Sequence, residues 1–184
     1  MFHPEEDNQM TPKEKTVILG CIFLSVLVAG YFENMFFLGF ANQIFAQPPV
    51  AIGMVFLHNV ITISLVILGM TFYVELITAF PPKRETERVV LTHPRLFAVI
   101  FTAIMLFVSI LRTSTLLGGQ ITVNLVSIIM LAVLPHGIIE AFGIYTAIHK
   151  TLTKRLTNIN LTAIYLLFLL AAFIEIGFVR VLAR

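Results

Sequence analysis

An all-α, polytopic membrane protein with five transmembrane helices, the fourth of them kinked at a proline, is the fold class that three observations predict. Hydrophobic residues fill 58% of the 184 positions and charged residues only 12%, far from the balance of a soluble domain. Five stretches, 16–39, 54–79, 97–117, 121–148 and 160–182, reach the length of about 20 apolar residues that a spanning helix needs. None of them alternates apolar and polar residues in the manner of a barrel strand. Residues 1–15 then form a short amino-terminal segment, and 16–184 form a single helical-bundle domain without a separate soluble part.

The segment before the first span carries Glu5, Glu6 and Asp7 and lacks the basic start of a cleaved signal peptide, so the first span is expected to stay in place. Cys21, the only cysteine, falls inside that span, which excludes an intrachain disulfide and disfavours a thiolate metal site. Glu33 closes the span. The connection 40–53 has no charge and holds Pro48-Pro49; it is expected to lie as a loop along the outer interface, a dip into the bundle being the alternative.

The second span opens on His58-Asn59 at its outer end and carries Glu75 toward the cytoplasmic end. About 25 Å of helical rise separates His58 from Glu75, so the two cannot share one small site. Pro81-Pro82-Lys83-Arg84 stops the helix and begins a charged, solvated stretch that ends near Pro94. Arg112 sits well into the third span and Glu175 well into the fifth. The fourth stretch would make a helix of about 42 Å against a hydrocarbon thickness of about 30 Å. Pro135 removes the donor that Leu131 would bond and Gly137 adds slack, which predicts a kinked spanning helix.

Basic residues orient the chain. Lys13 and Lys15 precede the first span, Lys83, Arg84, Arg88 and Arg95 fill the second connection, and Lys150, Lys154 and Arg155 fill the fourth. By the positive-inside rule the amino terminus and both basic loops are cytoplasmic, and the carboxyl terminus, with Arg180 and Arg184, lies outside a multi-pass plasma membrane protein. The net charge of +2 reflects this asymmetry and implies contact with anionic lipid head groups rather than nucleic acid.

Charged and imidazole groups at bilayer depth cost several kcal/mol and need a partner, a proton or a ligand. Glu33, Glu75, Glu140 and Glu175 outnumber Arg112, the one basic residue deep in a span, so some carboxylates must be protonated, cation-bound or hydrated. His136 and Glu140, four residues apart, share a helix face and can touch, while Arg112 is expected to pair with Glu33 or Glu175. Three chemistries fit this polar cluster. His136 and Glu140, with His58 or a residue of another helix as a third ligand, suit zinc and hydrolysis, although the paired-histidine zincin pattern is absent and no cofactor is otherwise expected. The acidic groups suit a proton, cation or small-solute pathway. The same groups also suit plain polar links that set helix register and oligomeric state.

The string Leu134-Pro135-His136-Gly137-Ile138-Ile139-Glu140, with His58-Asn59 opening the second span and Gly69 eleven residues after His58, resembles the stage II sporulation protein M family of small multi-span proteins. The resemblance covers roughly 54–150; the family's Asn-Asn pair stands here as His58-Asn59, and no Asn-Gly step falls between the second and third spans. It implies a membrane scaffold without a demonstrated activity of its own, which in spore-forming bacteria brings peptidoglycan-degrading partners to the septal membrane. Relatives also occur in archaea and in bacteria that do not sporulate. A chain with so little soluble mass must meet partners through lipid-facing surfaces and short loops, as a homodimer or by docking other membrane helices.

Overall fold

The computed structural model describes residues 10–80, 89–118 and 135–182, and within these every regular element is an α-helix. In chain order they are α1 (Pro12–Gly39), α2 (Ala41–Ala46), α3 (Pro48–Ala79), α4 (Val89–Thr92), α5 (Pro94–Gly118), α6 (Pro135–Leu152) and α7 (Asn158–Leu182). Four of them, α1, α3, α5 and α7, contain stretches long and apolar enough to cross a membrane. The half of the fourth stretch before Pro135, and with it the kink, lies outside the described residues, as do the amino-terminal acids and the connection 81–88.

Local chemistry sets the helix starts. Thr11 accepts from the Glu14 amide while the Glu14 carboxylate accepts from the Thr11 amide, a capping box followed by Pro12 in the first turn. The expectation of an interfacial loop over 40–53 is corrected: six of these residues form α2, and Pro48-Pro49 begin α3 instead of interrupting a loop. Proline is tolerated in a first helical turn because its missing amide proton has no intrahelical acceptor there. Ile44 and Ala51 are buried with Phe37, Val55, Ala172 and Ile176, so apolar burial draws this connection onto the bundle.

α1 packs along α3 through reciprocal notches. The Phe72 ring lies over Gly20, the Phe23 ring over Gly69, and the two rings stack with centroids 6.3 Å apart. A β-carbon on Gly20 would come within 3.1 Å of Phe72, so the absent side chain is what permits the approach; small residues serve helix pairs in lipid in this way. Gly30 packs likewise against Ile61 and Leu65, but most of α1 is exposed, and Thr16 and Phe37 are its buried residues.

The opposite holds for α6. Half its residues are buried, and it packs against α3, α5 and α7. Ile144, Ala147, Ile148 and Leu152 meet Ile63, Val66, Ala98, Ile164 and Phe168 in the main core. Wrapped by apolar neighbours, α6 carries the buried His136 and Glu140 into the interior of the bundle.

The hairpin from α6 to α7 closes on a Schellman turn. Arg155 N–H donates to Lys150 O at 2.8 Å, Lys154 N–H donates to Thr151 O at 3.0 Å, and Lys154 takes a left-handed φ of 54°. Glycine adopts that conformation without the β-carbon clash, so Lys154→Gly is expected to stabilise the protein by about 1 kcal/mol in a reversible unfolding titration. Lys150 Nζ donates to Asn160 Oδ1 at 2.6 Å and Thr157 accepts from the Asn160 amide, which fixes the start of α7. Deeper in the bundle the Ser64 and Tyr165 hydroxyls lie 2.9 Å apart, joining α3 to α7. Tyr165→Phe should cost about 0.6 kcal/mol, the usual size of an interhelical bond in a membrane protein, and a double-mutant cycle with Ser64→Ala reads it directly.

Candidate polar site

Two side-chain ties define the site. Glu33, on the last part of α1, accepts at Oε2 from His58 Nδ1 on α3 at 2.8 Å. One residue further, Asn59 Nδ2 donates to Glu140 Oε1 on α6 at 3.1 Å. Neighbouring positions on α3 therefore reach to opposite sides and join three helices. With its proton on Nδ1, His58 presents Nε2 toward the Thr62 hydroxyl one turn along, at 3.4 Å. The Phe37 ring, 6.3 Å from the imidazole, screens the pair from the bundle's end.

These groups are withdrawn from the surroundings. The Glu33 side chain is 8% exposed and that of His58 17%, and Glu140 is buried. Among the described residues, Glu33 Oε1 and His136 Nδ1 are buried without a hydrogen-bond partner.

Beside the ties lies a cavity of about 470 Å³, walled by α1 and α5 and floored by α3 and α6. Its polar lining comes from Asn34, His58, Asn59, Thr62, Ser109 and Glu140; Leu38, Met105, Val108 and Ile144 are among its apolar walls. Carboxamides, hydroxyls and a carboxylate in such a space can hold water or a polar molecule that both donates and accepts hydrogen bonds.

The structure thus brings together Glu33 with His58, and Asn59 with Glu140. It does not join His136 to Glu140: both are buried on α6, yet Glu140 turns to Asn59. Glu33 is paired with His58, and the expected Arg112 pairing cannot be placed because the Arg112 side chain lies outside the described residues. Glu75 stands half-buried near the far end of α3, and Glu175 half-buried on α7. Among the described residues no three of His, Cys, Asp or Glu converge as ligands of a metal ion. Asn34, Thr62 and Ser109 were not singled out in the sequence; Thr62 lies at helical spacing from His58 and Asn34 adjoins Glu33, signals that become useful once the facing helices are known.

No family model matches the chain, and no match is found among curated proteins or solved structures.

Proposed function

We propose that this chain is an integral membrane assembly subunit of the stage II sporulation protein M type, a scaffold that acts through its helices rather than by catalysis. In this reading it crosses the plasma membrane five times, with a cytoplasmic amino terminus, an outer carboxyl terminus, and a homodimer or other membrane proteins as its partners. The observation that carries it is that the interior carboxylates Glu33 and Glu140 are both engaged in ties between helices. Such ties fix helix register, and the resulting rigid bundle leaves α1 with a largely uncovered apolar surface for a further helix. The Leu134–Glu140 string supports the family assignment.

A proton, cation or small-solute pathway is the second reading, favoured by the cavity beside Glu140. Against it, the cleft continues from that cavity into a space lined by Val66, Gly69, Phe97 and Phe101, so the described polar groups do not form a track along it. Purified protein in sealed vesicles distinguishes the two. An assembly subunit should dissipate an imposed proton or cation gradient no faster than empty vesicles, and should crosslink to itself or to peptidoglycan-degrading proteins in its native membrane. Flux that disappears with Glu140→Gln while the fold is retained would overturn the assembly reading.

A further inference from the structure

The polar cavity has an apolar continuation. A second space of about 530 Å³ lies in the same cleft between α1 and α5, and the two share Thr62 and Met105. Leu65, Val66, Gly69, Phe97 and Phe101 line it, with α3 again as floor. From His58 to Tyr73, the span of α3 that lines the pair, the helix rises about 22 Å, more than the roughly 15 Å depth of one leaflet's hydrocarbon. The cleft is therefore polar at one end, oily along the rest, and longer than one leaflet's hydrocarbon is deep.

Two features identify what the polar end selects. The Asn34 carboxamide lines the cavity, is half-buried and makes no hydrogen bond among the described residues; the Asn59 carbonyl oxygen is likewise unused, its amide being given to Glu140. Amide groups left open at membrane depth are costly against acyl chains and favourable against hydroxyls, which can donate and accept at once. The described lining also contains no lysine or arginine, the side chains that recognise phosphate.

We propose that the α1/α5 cleft is a binding site for a membrane lipid with an uncharged, hydroxyl-bearing head group. The head lies against Asn34, Asn59 and Thr62, and one acyl chain runs past Met105 along Phe97 and Phe101. The inference is independent of the assembly reading, because a scaffold and a transporter could each hold such a lipid.

The test uses the full chain in phosphatidylcholine nanodiscs with a trace of glucosyl-diacylglycerol bearing a photoreactive acyl chain. Crosslinks should map to residues around Val66, Phe97 and Phe101 and saturate, and unlabelled glucosyl-diacylglycerol should compete where phosphatidylcholine does not. Asn34→Leu should weaken capture about three- to tenfold, the size of one lost neutral hydrogen bond, with unfolding unchanged. Met105→Trp, which obstructs the junction from the opposite wall, should abolish it and serves if Asn34→Leu folds poorly. Equal labelling by a phosphatidylcholine probe, preference for an ethanolamine head, or crosslinks confined to the outer surface of α1 would each overturn the proposal. So would replacement of lipid crosslinks by crosslinks to a second copy.

Discussion

His58→Ala should destabilise the protein by about 3 to 5 kcal/mol, the largest loss expected from any single polar substitution described here. The hydrogen bond itself is the smaller part of that figure, since interhelical bonds in membranes average about 0.6 kcal/mol. The larger part is the stranded carboxylate. The Glu33 side chain is 8% exposed and its Oε1 has no partner among the described residues, so loss of the imidazole leaves a buried acid with no hydrogen bond from His58. It must then take up a proton, recruit water, or force α1 away from α3. Glu33→Gln, which keeps an acceptor facing His58 Nδ1 and removes the charge, should cost much less. The paired replacement Glu33→Leu with His58→Leu should return most of the stability, because two apolar groups of suitable size leave nothing unsatisfied. Unfolding in mixed micelles by increasing denaturing detergent checks all three, and a double variant as damaged as His58→Ala would show that the tie is not the source of the loss.

Gly143→Val should cost about 3 kcal/mol and separate α6 from α7. A β-carbon at Gly143 falls 3.0 Å from Phe168 Cε2 and 3.2 Å from Cζ. Phe168 is 3% exposed, so its ring has no free surface to swing toward, and the added branches must push the helices apart. Alanine is the informative control. It brings the same first contact but gains about 1 kcal/mol in helix propensity, so Gly143→Ala should lie near neutrality or slightly below. Adding Phe168→Leu to Gly143→Val should recover a large share of the loss by making room, measured as non-additivity in the same unfolding assay. Because the nearest contacts of a Gly143 side chain are to Phe168 on α7, away from the Glu33–His58 tie, its effect should add to that of His58→Ala.

The sequence made the spans legible wherever a helix faces lipid, since unbroken apolarity over 16–39, 54–79, 97–117 and 160–182 reappears in α1, α3, α5 and α7 with slightly extended ends. It was least informative where burial by protein replaces burial by lipid. The stretch 40–53 looked like an interfacial loop because its prolines read as breaks, whereas Pro48-Pro49 start a helix and Ile44 is drawn into the core. The site shows the same limit. Spacing places His136 and Glu140 on one face of α6, but only the approach of α3 determines that Glu140 meets Asn59. Likewise no periodicity couples Glu33 to His58, 25 positions away; that pairing depends on the glycine notches that bring α1 onto α3. Charge counting identified which residues needed partners without assigning them.

The scaffold reading proposes five crossings of the membrane, and the sidedness of the two termini measures that proposal directly. With Cys21 replaced by serine, a single cysteine placed at either end can be tested with a membrane-impermeant maleimide in intact cells and again after permeabilisation. Reaction of the carboxyl-terminal cysteine in intact cells, with the amino-terminal one labelled only after permeabilisation, is the expected result. Both ends reacting from the same face would contradict an odd number of crossings.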